Sequence, residues 1–348
     1  MKKKKIAVLG HFVDKELASD GQTIKTIMVY DQLLKKNKNA SLFKLSTHGW
    51  IKRPIKFFLD LVKTSIEADD IVLLPAHKGV RIMLPILIFL RKIHGTKLHY
   101  VVVGGWLPDY IKNKPFLGWA VRKTDFVYLE TQSMLKRLRS EVGLENCYLL
   151  RNFKYYTTNF KNNKNLNDNK EILDICTLSR VNEQKGITDA VHAVNLVNKT
   201  GGRYRLTVYG RIDDKYKHKF NELLKKSNSN VVYGGILKDK DIPKELSKMY
   251  FLLFPTRYWT EGIPGSIIDA YSVGLPVVSS RWLHFNEVID EGITGYGYEF
   301  EDVKDLHRLI QKLSNNKRVD NLRSASMAKF NLFTPEKAMR PLLKNLGI

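Results

Sequence analysis

The chain has 348 residues, 43 % of them apolar, and carries 58 Lys and Arg against 35 Asp and Glu for a net charge of +23. That length accommodates two domains with proper cores, and the charge favours anionic partners such as nucleic acid, anionic lipid or phosphorylated substrates. The two cysteines, Cys147 and Cys176, exclude a disulfide framework and point to a reducing compartment.

From the start, "MKKKKIAVLGHF" is basic, but its apolar run ends at Gly10 and is too short for a secretory signal. "KKIAVLGHF" reads instead as a buried strand, and "QTIKTIMVYDQLLKK" as a helix with apolar spacing of three and four. "ASLFKLSTH" is the next strand, followed by the amphipathic helix "PIKFFLDLVKTSIE", opened by Pro54. Strand "DDIVLLPAH", helix "RIMLPILIFLRKIH", strand "KLHYVVVGG" and a helix near "LGWAVRKT" follow. Strand "DFVYLET", helix "SMLKRLRSEV" and strand "NCYLLRN" complete the first half. The longest apolar run, Ile82 to Leu90, is about half of the roughly 20 residues that a spanning helix needs.

Near Tyr155 the composition changes. "YYTTNFKNNKNLNDNKE" is polar, asparagine-rich and without apolar period, so it reads as a linker. The alternation then restarts with strand "ILDICTLSR", helix "ITDAVHAVNLVNKT", strand "YRLTVYG", helix "DKYKHKFNELLKK", strand "NVVYGG", helix "PKELSKMY" and strand "FLLFPT". The end is helical, from "DLHRLIQKLSNN" through "PEKAMRPLLKNL". Strands alternating with helices predict parallel sheets covered on both faces. The expected organisation is a first α/β domain over 1–155, a linker over 156–170 and a second α/β domain over 171–332. The C-terminal helix, about 333–348, is able to pack back on the first. Ligands of open parallel sheets sit beyond the carboxyl ends of the strands, and two such domains facing each other make a deep cleft.

Chemistry concentrates at two of those strand ends. The stretch "TEGIPGSIIDAYSVGLPVVSS", Thr260 to Ser280, sets two acids, Glu261 and Asp269, around a glycine- and proline-rich turn. Ser266 as N-cap with Asp269 three positions on fits a capping-box variant, and Gly274 suits a left-handed C-terminal cap. Capping does not explain Glu261 or the "GIPG" turn, whose backbone N–H groups at a helix N-terminus suit a phosphate or hydroxyl. Structure and ligand binding both stay open on spacing alone. The second element is "LSRVNEQKG", where Arg180 and Lys185 bracket a loop after a strand; they read as a pair able to neutralise a diphosphate, or as a solvated loop.

Taken in order, "SRVNEQKG", "YGRIDD", "VVYGGIL", "FLLFPTRYWTEGIPGSIIDAYSVGLPVVSS" and "NEVIDEGITGY" resemble the retaining glycosyltransferases of the GT-B fold, family four, which includes enzymes of bacterial polysaccharide, O-antigen and capsule assembly. The resemblance is strongest from about Ile172 to Phe300 and weaker over the first 150 residues, where "DGQTIKT" is the similar piece. It implies two Rossmann-like domains and a nucleotide-diphosphate sugar bound mainly by the second. On that resemblance Arg180 and Lys185 contact the donor diphosphate, and Glu261 is the first acid of an E-x7-E motif that contacts hydroxyls of the transferred sugar. Asp269 stands at the second acid, which usually binds ribose, although Asp is one methylene shorter than Glu. The backbone of Gly262, Ile263, Pro264, Gly265 and Ser266 then approaches the sugar and phosphates. Ile236 lies near the base, Gly210 lies in the donor site, and Gly21 lets the first domain's backbone near the phosphates.

The histidine that many relatives carry after the fourth strand of the first domain is replaced here by Gly104 and Gly105. The acceptor-side candidates are therefore His11, His77, Trp106 and Asp109. No Asp-x-Asp metal signature stands in a suitable place, since Asp69-Asp70 and Asp213-Asp214 read as loop or strand-start residues, so neither a metal nor a cofactor is expected. Nor is there a zinc-finger spacing, an RNP-like strand or a KH-type loop, so no nucleic-acid partner is expected. Two stretches, "WIKRPIKFFLDLVK" and "KGVRIMLPILIFLRKIHGTK", mix cations with apolar residues and suit an anionic lipid interface or a core helix with solvated ends. The expected function is transfer of a sugar, with retention, from a nucleotide-diphosphate sugar to a lipid-linked or other saccharide acceptor. The expected place is the cytoplasm, peripheral on the inner face of the cell membrane. The alternatives are a non-catalytic scaffold of the same fold and a sugar-nucleotide epimerase.

Overall fold

A computed structural model describes residues 3–14, 20–37, 39–156, 171–314 and 318–348. They divide into two compact units, one of Met1–Phe153 with Thr334–Ile348, the other of Lys154–Phe333. Of the segment read as a linker, 157–170 lies outside the described residues.

Unit 1 runs β1 (Lys5–Gly10), α1 (Gly21–Lys36), β2 (Ser41–Ser46), α2 (Pro54–Glu67), β3 (Asp70–Leu74), α3 (His77–His94), β4 (Lys97–Val101), α4 (Leu107–Lys112), α5 (Pro115–Arg122), β5 (Phe126–Leu129), α6 (Gln132–Val142) and β6 (Cys147–Leu149). All strands are parallel in the order β2-β1-β3-β4-β5-β6. β3 is buried along its whole length, so it reads as a continuous apolar run rather than an alternating one. The helices are bounded by ordinary local chemistry: Asp20 caps α1 by accepting from the Thr23 backbone N–H, Thr131 caps α6, and Gly95 ends α3 at φ +73°. α4 separates β4 from the expected helix around Trp119 and is an addition to the sequence reading.

Unit 2 runs β7 (Leu173–Leu178), α7 (Ile187–Lys199), β8 (Tyr204–Tyr209), α8 (Lys217–Lys225), β9 (Val231–Gly235), α9 (Ile242–Leu246), β10 (Leu252–Phe254), α10 (Gly265–Ser272), β11 (Val277–Ser280), α11 (Phe285–Val288), β12 (Gly295–Tyr298), α12 (Val303–Leu313) and α13 (Arg318–Phe330). Its parallel order is β12-β11-β10-β7-β8-β9. The order reverses between β7 and β10, the place where an open α/β sheet leaves a crevice beyond its carboxyl ends. The last helices, α14 (Pro335–Ala338) and α15 (Arg340–Leu346), belong to unit 1, where Met339, Leu342 and Leu346 pack in one core with Ile6, Val8 and Val29.

The unit boundary falls at Lys154, ahead of the expected linker, for a local reason. The Lys154 backbone N–H donates to the Phe333 carbonyl at 3.1 Å, and the side chains of Lys154 and Tyr156 both reach Asp269 of α10.

Candidate functional site

The switch point of unit 2 brings together the two sequence elements that stood apart. The loop after β7 forms a single 3-10 turn, Glu183–Lys185, capped by the Asn182 side chain, which accepts from the Lys185 backbone N–H at 3.0 Å. Gly186 then turns the chain at φ +68°, and a Cβ there would stand 1.7 Å from the Pro255 carbonyl oxygen. Only glycine permits that approach, and it fixes the β7 loop against the end of β10. The Arg257 backbone N–H donates to the Gln184 carbonyl at 2.9 Å, closing the same contact.

This packing carries Lys185 onto Glu261. Its ammonium donates to both carboxylate oxygens, 3.1 Å from Oε2 and closer to Oε1. Both side chains are largely buried, which strengthens the attraction relative to a surface pair. Arg180, on the same loop, is exposed, and among the described residues it has no carboxylate partner. The two expected diphosphate cations therefore differ: Arg180 faces solvent as a free charge, while Lys185 is held by the acid expected to touch the sugar.

A further cation holds the site. Arg257 makes a bidentate pair with Asp189 in the first turn of α7, at 2.7 and 2.6 Å. Those hydrogen bonds raise the guanidinium above its ordinary pKa. Asp189 is buried, so the pair ties the Glu261 loop to α7. Sequence reading missed Arg257 because its partner lies 68 residues away. Its place directly after "FPT" at a strand end was the available signal.

The turn itself corrects the capping reading. Pro264 occupies the N-cap of α10, at φ −67° and ψ 132°, and no side chain caps the helix. Ser266 is the second helical residue, because both Gly265 and Ser266 already have helical backbone, so the Ser266–Asp269 capping box does not form. Gly274, at φ +68°, ends the helix as expected. Gly262, Ile263 and Pro264 are buried and Gly265 and Ser266 half-buried, so the turn presents the first N–H groups of α10 beside Glu261.

Asp269 is buried on the opposite account from a cap. The Lys154 ammonium stands 3.3 Å from its Oδ1, and the Tyr156 hydroxyl donates to the same oxygen. Burial pushes its carboxyl up despite both partners, and burial and the neighbouring carboxylate push the Tyr156 phenol up. Neither partner was legible from the motif.

The other donor-side candidates separate by cause. Gly210 sits at φ +133°, and a Cβ there would lie 1.8 Å from the Ser179 carbonyl, so close packing of the β7 and β8 ends accounts for this glycine. Ile236, just past β9, is exposed and packs in no core.

In unit 1, Gly21 opens α1, and a Cβ on it would meet open space, so no neighbour requires glycine there. His11, after β1, bonds Thr23 through Nδ1 at 2.7 Å and His48 through Nε2 at 3.1 Å. His77 is the first residue of α3; its ring lies 3.8 Å from that of Trp106, and burial lowers its pKa. Trp106 is buried and donates its indole N–H to the Val103 carbonyl at 2.7 Å. Asp109 pairs with Arg137 at 2.6 Å, on the first turn of α4. Unit 1 also holds a buried ion pair that sequence reading missed, Lys25 with Glu130 at 2.5 Å, directly after β5. Among the described residues no group of three or more His, Cys, Asp or Glu is placed to hold a metal ion.

With this geometry in hand, residues 172–316 match the model of the family described as Glycosyl transferases group 1. That stretch covers the whole Lys185–Glu261–α10 arrangement. The chain is similar to the amylovoran biosynthesis glycosyltransferase AmsK of Erwinia amylovora, 27 % identical over 41 % of this chain and 36 % of the relative. It is similar also to an uncharacterized 41.2 kDa protein in the cps region of Klebsiella pneumoniae, 28 % identical over 42 % of this chain and 39 % of the relative. The matched stretch thus spans well under half the length of these curated relatives. Among solved structures, HepE of Anabaena, crystallised with UDP and glucose, superposes with a TM-score of 0.75 over 99 % of both chains at 15 % identity. Two doubly wound parallel sheets with this likeness make the fold GT-B.

Proposed function

We propose that the chain is a glycosyltransferase of polysaccharide biosynthesis. In this reading it takes a sugar from a nucleotide-diphosphate sugar, without a metal and with retention, and passes it to a lipid-linked or other saccharide acceptor. The observation that carries the reading is the Lys185–Glu261 pair at the switch point of unit 2, which joins the β7 loop that also bears exposed Arg180 to the turn leading into α10. Breaking an anomeric C–O bond builds positive charge on the sugar and negative charge on the departing diphosphate. Arg180 and the α10 N-terminus supply fixed positive potential for the second charge. Lys185 holds the Glu261 carboxylate aimed, so that a sugar hydroxyl donating to Glu261 finds a preformed acceptor. UDP in the HepE crystals supports a uridine nucleotide as the first donor to try.

Asp269 is the ribose contact in this reading, and it reaches ribose only when Tyr156 or Lys154 yields. That clasp is also the observation favouring a non-catalytic scaffold. Acceptor binding falls to His11, His77, Trp106 and Asp109, and the chain works peripherally on the anionic cytoplasmic face of a membrane.

A thermal-shift panel of sugar nucleotides tests donor binding, because a ligand of the folded state raises its stability. Arg180→Ala with Lys185→Ala is expected to weaken nucleoside diphosphate binding about 100-fold, one decade per charge-assisted contact. Unchanged affinity in the double variant refutes the diphosphate assignment.

A further inference from the structure

α2 is a helix with two apolar faces. Phe57 and Leu61 point into the core of unit 1. Ile55, Leu59, Val62 and Ile66, at i, i+4, i+7 and i+11, form a second stripe on another face. Val62 is half-buried and the other three are exposed. α3 repeats the pattern. Met83, Leu84, Leu87 and Ile88 are buried, while Ile82, Phe89 and Ile93 are exposed on the other side and Ile86, between them, is half-buried against the core.

These helices pack against one another and share one core with α5, where Phe116 is also exposed. Exposure runs from 47 % at Ile82 to 78 % at Ile55. Single exposed apolar residues are ordinary, but two ordered stripes on adjacent helices are an interaction surface.

The charges say what covers it. Lys52, Arg53 and Lys56 flank the N-terminal part of the α2 stripe, Asp60 and the Lys63–Glu67 pair lie further along the same helix, and Lys78, Arg81 and Lys92 flank the α3 stripe. From His77 to Lys97 there is no acid at all. A protein partner matched only by apolar contact needs no such excess of cations, and a second copy of the same face would set cation against cation. Apolar stripes bordered by lysine are what an anionic bilayer accepts: the side chains enter the acyl boundary and the ammonium groups stay among the headgroups.

We infer that the outer faces of α2 and α3 form a docking surface for an anionic lipid bilayer, with Ile55, Leu59 and Phe89 inserted. The inference deepens the peripheral-membrane reading above and rests on it. It commits that attachment to one face of unit 1.

The test is co-sedimentation of the full chain with vesicles of phosphatidylcholine alone or with phosphatidylglycerol. Wild type is expected to bind the anionic vesicles, and raised salt to weaken that binding. Leu59→Ser with Phe89→Ser removes only exposed side chains and is expected to cut binding at least about tenfold. Lys56→Gln with Lys92→Gln is expected to cut it about fivefold per cation. Lys217→Gln with Lys225→Gln on α8 of unit 2 is the control for net charge, with no more than about a twofold effect.

Failure of wild type to prefer anionic vesicles overturns the membrane reading and the inference together. Preference in wild type that the α8 variant loses, and the α2–α3 variants keep, overturns the inference alone. Sedimentation velocity covers the remaining case: a dimer dissociated by Leu59→Ser with Phe89→Ser, with vesicle binding unchanged, assigns the face to self-association and also overturns it.

Discussion

Two glycines, Gly186 and Gly21, offer a sharp contrast between packing and ligand approach. Gly186→Ala adds one methyl at φ +68°, which costs about 1–2 kcal/mol for an L-residue with a Cβ. The methyl would lie 1.7 Å from the Pro255 carbonyl oxygen. Ordinary C···O contacts stand at about 3.3 Å or more, so the β7 loop must retreat by about 1.5 Å. Overpacking of that kind costs about 1–3 kcal/mol, for a total of about 2–5 kcal/mol. For a unit of this size, a loss of that order lowers Tm by about 5–15 °C. Because the same retreat drags Lys185 off Glu261, donor-dependent activity is expected to fall about 100-fold as well. Gly21→Ala meets open space at the first position of a helix and is expected to leave Tm within about 1 °C, while weakening donor binding. Differential scanning calorimetry with titration of the nucleotide reads both. A Gly186→Ala protein that melts and binds like wild type refutes the close approach of the two strand ends. A Gly21→Ala protein with full donor affinity removes Gly21 from the site.

Arg257→Ala leaves buried Asp189 without its bidentate partner and is expected to destabilise unit 2 by about 2–3 kcal/mol, discounted for the partial exposure of the arginine. Arg257→Lys is expected to recover only part of this, since one ammonium cannot reproduce the fork, and urea midpoints check both. Burial holds the Asp269 carboxyl above its unfolded value, so this group's contribution is fully present below the ordinary pKa of 3.8 and is lost as pH rises through the higher folded value. Wild type is therefore expected to lose stability relative to Asp269→Asn as pH rises above the ordinary carboxylate value of 3.8, and urea midpoints that stay parallel as pH rises contradict the assignment.

Much of the fold was legible because parallel strands buried on both faces leave plain apolar runs, as at Ile71–Leu74 and Leu252–Phe254. β12 escaped notice because its sequence, Gly-Tyr-Gly-Tyr, is only four residues long and half glycine, a residue that weakens strands and is depleted in them. The Ser266 cap was misread because Pro264, already fixed in φ, starts α10 two residues sooner. Arg180, Lys185 and Glu261 were each legible as strand-end residues, but the Lys185–Glu261 contact spans 76 residues and no local pattern announces it. The same holds for Tyr156 on Asp269, across 113 residues, and for Lys25 on Glu130, across 105. Local periodicity locates elements, and long-range pairing decides which charges are free.

The central claim is that Glu261 receives hydroxyls of the transferred sugar at a diphosphate site built by unit 2. Isothermal titration of wild type and Glu261→Ala, each against a nucleoside diphosphate and the corresponding nucleotide sugar, tests it most directly. The expected result is that wild type prefers the nucleotide sugar, and that Glu261→Ala binds the nucleoside diphosphate comparably but loses the added affinity for the sugar, with transfer activity abolished. A Glu261→Ala protein that keeps the full preference for the nucleotide sugar, or a wild type that binds no nucleotide sugar of the panel, contradicts it.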